Sequence, residues 1–212
     1  MYKEIVKDVL EYAEPKFAEW VKPFLNITDE SDEIVLGVRV PTLRKLAKKY
    51  KNISYSVLQE LLKAKEHDIR ALAVFIMLEK NKKESQEICR LYLDNLDTIN
   101  NWDLIDYSAP HIVAPNIGED ELRQLADSEY LWANRIAMVS TIYYIKQGDF
   151  RLALEFAKKF ISHPHHLMHK AAGWMLREIG KKNIEVLKEF LEKHSQNMPS
   201  VMRSYAREIF KK

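Results

Sequence analysis

The chain has 212 residues, 47% apolar and 30% charged, a balance that excludes a disordered polymer and suits one sizeable domain or a repeat array of that mass. Five Gly and seven Pro are too few for the many tight turns of a sandwich or barrel. A formal net charge of +2 excludes bulk basicity as a nucleic-acid signal, so any such footprint must come from local arrangement.

Cys89 is the only cysteine, which rules out an intramolecular disulfide or a Cys-rich metal site. It sits in a helical pattern with Ile88, Leu91 and Tyr92 and reads as an inert core thiol. The N-terminus interleaves charge with apolar residues and does not resemble a signal peptide. The longest uncharged apolar run, Ala71 to Leu78, falls far short of the ~20 residues a membrane span needs. The expectation is a soluble cytoplasmic protein without a membrane partner.

Taken in order, apolar spacing predicts helices near 2–13, 15–25, 41–51, 54–63, 66–80, 84–97, 102–114, 118–127, 130–147, 149–161, 164–180, 183–193 and 199–211. Pro15, Pro41, Pro164 and Pro199 suit first-turn positions, and Gly148-Asp149 reads as a helix stop followed by an N-cap. Residues 26–37 form the only long polar interruption, and no strand pattern stands out. The fold class is all-α.

Short basic-then-apolar stretches recur at Ile69-Arg70-Ala71, Asn134-Arg135-Ile136, His169-Lys170-Ala171 and Met202-Arg203-Ser204. Arg70, Arg135, Lys170 and Arg203 are separated by 65, 35 and 33 residues, and Asp103 divides the first gap into 33 and 32. A period in the low thirties, with two helices per period, marks a helical solenoid. No ankyrin or tetratricopeptide consensus fits, so about six HEAT-like helix pairs are expected, stacked as a single domain over 1–212 without an internal linker. If the second helix of each pair lines a concave face, equivalent positions form a column. That column holds Arg70, the Trp102/Asp106 helix, Arg135, Lys170 and Arg203, with Trp174, Arg177 and Arg207 one or two turns further along. Any one of these cations could be a solvated helix end. In register, they favour a basic groove that tracks a polyanion.

The stretch Asn101 to Pro110 carries the chemistry. A helix starting at Trp102 and capped by Asn100 or Asn101 puts Trp102 and Asp106 on one face, extended by Ala109 and Val113. Asp106 then has an indole on one side and small or apolar groups on the other. Asp103 needs no more than the helix macrodipole to explain it. Trp102 and Trp174 taken alone could equally be packing residues, and Trp20 and Trp132 read as core. Gly173 sits inside a helix, where it costs ~1 kcal/mol against Ala, so a close backbone approach is expected there. Arg135 could form an ion pair with Asp106. His163, His165, His166 and His169 include one i, i+4 pair but no third ligand at a usable spacing, so they read as a polar helix entry and not a metal site. No phosphate loop, HExxH, CxxC or GxSxG is present, so neither a metal nor a cofactor is expected.

Trp102-Asp103-Leu104-Ile105-Asp106, Trp132-Ala133-Asn134-Arg135 and Lys170-Ala171-Ala172-Gly173-Trp174-Met175-Leu176-Arg177-Glu178 resemble three signature segments of the DNA alkylation repair family, the AlkD-like HEAT-repeat DNA glycosylases. Gly37 to Ala47 resembles its N-terminal segment, and the resemblance runs from about residue 15 onward. It implies a monofunctional glycosylase that removes positively charged N3- or N7-alkylated purines from duplex DNA, acting as a monomer. By position it makes Asp106 the catalytic aspartate and places Trp102 and Trp174 at the lesion nucleotide. It makes Arg135 an active-site arginine that, with Arg177, holds phosphate; Lys170, Arg70 and Arg203, read from the repeat column, would extend the DNA contact. A further aromatic wall from the N-terminal region would fall to Trp20 or Phe24. A catalytically silent DNA-binding relative and a scaffold for a protein partner are the alternatives.

Overall fold

The computed structural model describes residues 1–28 and 30–211. Among these the regular structure is helical apart from one isolated parallel bridge between Ile34, inside the polar interruption of the sequence, and Glu66, just ahead of the helix that begins at His67. The chain divides into two compact units, Met1–Leu104 and Ile105–Lys212.

The first unit holds α1 (Tyr2–Leu10), α2 (Pro15–Leu25), α3 (Val40–Tyr50), α4 (Tyr55–Leu62), α5 (His67–Lys80), α6 (Ser85–Leu93) and the first turn of α7 (Trp102–Ile112). Its centre is α5, buried continuously from His67 to Met77, with α1, α3, α4 and α6 packed on it. From Ala71 to Met77 the sequence is apolar all round, which is what a central helix requires. Pro15 opens α2, and Asn26, at φ 55°, ends it in the left-handed conformation. Gly37, at φ 78°, passes so close beneath α2 that a Cβ there would lie 2.5 Å from Glu14 O and 2.6 Å from Ala18 N. No other residue meets both conditions. Cys89 is buried, as expected.

The second unit holds the rest of α7, α8 (Glu119–Asp127), α9 (Leu131–Ser140), α10 (Ile142–Lys146), α11 (Arg151–Lys159), α12 (His166–Lys182), α13 (Ile184–His194) and α14 (Ser200–Arg207). Its centre is α12, against which α9, α10, α11, α13 and α14 all pack. The close approach expected at Gly173 is to α14, where a Cβ would meet Met202 O at 2.5 Å and Tyr205 Cβ at 2.6 Å. Gly148, at φ 86°, stops the chain after α10, and Asp149 Oδ1 accepts from Arg151 N at 3.1 Å to start α11. The single helix expected over 130–147 is two. Thr141 Oγ1 donates to Met138 O at 2.7 Å and tightens the turn there, a local bond that competes with the regular ladder. Pro164 lies ahead of α12 and not in its first turn.

Candidate active site

The period read from the sequence is structural. Arg70, Asp103, Arg135, Lys170 and Arg203 all fall near the beginning of α5, α7, α9, α12 and α14, the second helices of successive pairs. What they do there differs from one to the next.

In the second unit, Asp106 and Arg135 form a two-pronged pair. Arg135 Nε donates to Asp106 Oδ1 at 2.9 Å, and Arg135 Nη2 donates to Asp106 Oδ2 at 2.7 Å. Arg135 Nη1 donates to Leu167 O at 2.7 Å, just inside the start of α12. Arg135 is 4% exposed, whereas the Asp106 side chain keeps 16% of its surface open. A guanidinium is a rigid planar fork that matches a carboxylate edge to edge. Here it locks the carboxylate in one orientation while the side chain stays partly exposed. The phosphate contact expected of Arg135 is therefore corrected: its donors are aimed inward, at the acid and a carbonyl.

Trp174 and Arg177 also lie in this unit, on α12. Trp174 is half-buried, and its Nε1 donates to Glu178 Oε1 at 3.0 Å. Arg177 is paired with Glu208 and lies 3.7 Å from Glu178, so its charge is already met within the protein. Arg203 Nη1 donates to Ser195 O at 2.8 Å, satisfying a carbonyl left open where α13 ends. Lys170 is half-buried and makes no ion pair among the described residues. Trp132 is half-buried.

The histidine group behaves as a helix entry. His165 Nδ1 accepts from Leu167 N at 3.2 Å and caps α12, while His163 Nδ1 accepts from His165 N at 3.0 Å. Burial holds both imidazoles below the usual histidine value, which keeps them neutral and able to accept. Among the described residues, no group of three His, Cys, Asp or Glu is placed to hold a metal ion, and no helix is long and apolar enough to cross a membrane.

In the first unit, Trp102 packs partly buried against Ala18, Leu25, Ile27 and Val35, and its Nε1 donates to Phe24 O at 2.9 Å at the end of α2. The exposed side of α2 carries an aromatic row. Phe17 stacks on Trp20 at 5.5 Å, Trp20 contacts Phe24 at 4.9 Å, and the Arg39 guanidinium covers Phe17 at 3.6 Å. Trp20 is 61% and Phe24 57% exposed. This corrects the core reading of Trp20. Its helix has an apolar face elsewhere, at Ala18 and Leu25, so the row is surplus to packing.

Arg70 is corrected as well. It is buried, Nη1 donates to Ala64 O at 2.9 Å and Lys65 O at 3.2 Å, and Nη2 meets Glu33 and Asn100. It is an internal strut that satisfies the carbonyls after α4, not a phosphate contact. Buried His67 and half-buried Glu33 form a polar group with it that sequence reasoning missed, while buried Asp68 accepts from Leu36 N and Val38 N at 2.7 Å each. The available signal was an adjacent His-Asp pair ahead of an otherwise apolar helix.

A profile of the family described as DNA alkylation repair enzyme matches residues 5–210. Comparison with curated proteins returns no match. Among solved structures, one described as a predicted DNA alkylation repair enzyme from Enterococcus faecalis superposes with a TM-score of 0.69 at 15% identity, covering 94% of this chain and 97% of that one. The structure of AlkD2 from Streptococcus mutans gives 0.61 at 15% identity over 93% and 99% of the two chains. That of smu.31 from Streptococcus mutans UA159 gives 0.59 at 17% over 91% and 98%. At these identities the structural likeness speaks to the helical-repeat fold.

Proposed function

Given that the chain belongs to the DNA alkylation repair enzyme family, we propose that it is a glycosylase hydrolysing the N-glycosidic bond of positively charged N3- or N7-alkylated purines in duplex DNA. The observation that carries this reading is the Asp106 carboxylate, held in one orientation by the Arg135 fork while its side chain stays partly accessible to solvent.

A cationic alkylpurine departs as a neutral base, so no general acid has to protonate it. The remaining requirement is stabilisation of an oxocarbenium-like sugar, as in glycoside hydrolysis. A preoriented carboxylate supplies that charge without reorganising and can direct the attacking water. Each 1.4 kcal/mol of preferential stabilisation is worth about tenfold in rate.

The two tryptophans support a charged lesion. Both indole N–H groups are bonded inside the protein, to Phe24 O and to Glu178. What Trp102 and Trp174 can offer a ligand is a ring face, and a cation over an indole face gains roughly 0.5–2 kcal/mol. The exposed Trp20 and Phe24 on α2 are the candidates for the further aromatic wall that the resemblance implies. Lys170 meets backbone phosphate, with Arg177 and Arg203 contributing only if their internal partners are exchanged.

The test is incubation with duplex DNA carrying 7-methylguanine, followed by measurement of released base. Release by the wild type, lost in Asp106→Asn with DNA binding retained, is expected. No release by the wild type ends the enzyme reading. The internal engagement of Arg70, Arg135 and Arg177 favours a second reading, a catalytically silent relative that binds DNA weakly or serves a protein partner. Duplex affinity that does not fall as salt rises would select the protein scaffold.

A further inference from the structure

The start of α7 is held by more than a helix cap requires. Asn101 Oδ1 accepts from Trp102 N at 2.8 Å while its Nδ2 donates to Leu25 O at 2.9 Å. Asn100 Nδ2 donates to Glu33 Oε1 at 3.3 Å, and its Oδ1 accepts from Arg70 Nη2 at 3.3 Å. Asp103 Oδ1 accepts from Leu104 N at 2.9 Å, and Oδ2 meets His67 Nε2 at 2.9 Å. His67 Nδ1 lies 3.8 Å from Glu33 Oε2, too far for a hydrogen bond, and has no other partner. His67 is 3% exposed. A macrodipole alone asks only for an acid near the helix start, which solvent would complete. Burying a histidine to meet that acid carries a desolvation cost, and fixing one geometry is the best-attested return on such a group.

We propose that His67 is a positioning residue: by clamping Asp103 from below, with Glu33 as its second carboxylate, it fixes the first turn of α7 and so the angle of the Trp102 indole. The purpose rests on the functional reading above, but the geometry does not. The groups facing His67 are Asp103 on α7, Glu33 in the loop before α3, and Arg70 on its own helix; with His67 charged, two cations balance two carboxylates. Burial alone would depress the imidazole, but Asp103 and Glu33 outweigh it and Arg70 and raise it to about 9. The clamp therefore carries its charge at neutral pH.

The four tryptophans allow a direct test by 19F NMR of protein labelled with 5-fluorotryptophan, the Trp102 signal being identified through Trp102→Phe. In the wild type that signal is expected to titrate with a midpoint near 9. In His67→Gln it is expected to be displaced at pH 7 and no longer to titrate, while Trp132 and Trp174 stay in place. A Trp102 signal indifferent to pH, or identical in folded His67→Gln and wild type, overturns the proposal. Should His67→Gln fail to fold, Glu33→Gln carries the test: losing one carboxylate must lower the midpoint, and an unchanged midpoint overturns the clamp. In the base-release assay, His67→Gln is expected to slow single-turnover release about ten- to hundredfold with DNA affinity nearly unchanged, the signature of misplacement and not of lost binding. A wild type that titrates as described yet releases no base sinks the glycosylase reading and leaves the clamp standing.

Discussion

Arg135 performs with one guanidinium what would otherwise take three groups. It neutralises Asp106, fixes both carboxylate oxygens, and closes the Leu167 carbonyl. Lysine keeps the charge but cannot bridge two oxygens and a carbonyl from one buried position. Arg135→Lys is therefore expected to lower stability by about 1–3 kcal/mol, the cost of leaving buried partners unmet. It is also expected to cut single-turnover base release at least tenfold, because Asp106 loses its fixed orientation. Urea unfolding and the release assay read the two effects, and a variant equal to wild type in both would remove Arg135 from the argument. The sequence placed Arg135 and Arg70 correctly in the repeat but left their direction open. A cation at that slot looks the same whether it reaches outward to a phosphate or inward to a carbonyl, and only burial separates the two. The placement of Asp106 one turn from Trp102 on α7, and its pairing with Arg135, were legible because helix spacing is local; the role proposed for it comes from the family resemblance. The exposure of Trp20 was not legible, since an aromatic on an amphipathic helix reads as core.

Helices are where the sequence speaks most plainly, because apolar spacing and tight punctuation are both local properties. Part of the period has a structural reason: in three pairs a side chain near the start of the second helix closes carbonyls at the end of the helix before it, as Arg70, Asn134 and Arg203 do. The break at Thr141 escaped because a hydroxyl bonding back three residues leaves the apolar pattern intact. The glycines of α12 give a paired test of packing. At Gly173 an added Cβ meets the Met202 carbonyl and Tyr205 Cβ, neither of which can move without shifting α14. At Gly180 it meets the tip of Leu187, Cδ2 at 2.5 Å, which can rotate away. Gly173→Ala is expected to be destabilising by about 1–3 kcal/mol despite the gain in helix propensity. Gly180→Ala is expected to be neutral or stabilising by up to ~1 kcal/mol. At this chain length each kcal/mol moves the melting temperature by roughly 2–4 °C, so thermal denaturation separates the two. A Gly173→Ala protein as stable as wild type would mean that α14 does not approach α12 this closely.

For the molecule as a whole, the two units carry opposite responses to pH. In the first, His67 titrates near 9 in the folded state against an unfolded value near 6.5. A raised value means that the folded state holds the proton more tightly, so the contribution is complete below about 6.5 and is lost as pH rises through 9. The shift corresponds to a contribution on the order of 3 kcal/mol. In the second unit, burial depresses His163 and His165. Their neutral forms are the ones that accept the backbone N–H groups leading into α12, so stability there is present above the unfolded value and falls as acid charges them. Hydrogen exchange followed by peptide mass analysis can read the units separately after correction for the intrinsic pH dependence of exchange. Between pH 7 and 9.5, protection is expected to fall in peptides from α5 and the start of α7 while α12 holds. Between pH 7 and 5.5, the start of α12 is expected to loosen while α5 holds. His67→Gln should abolish the alkaline response alone. Loss of protection in both units together at either extreme would mean that net charge, and not these three imidazoles, governs the pH dependence of folding.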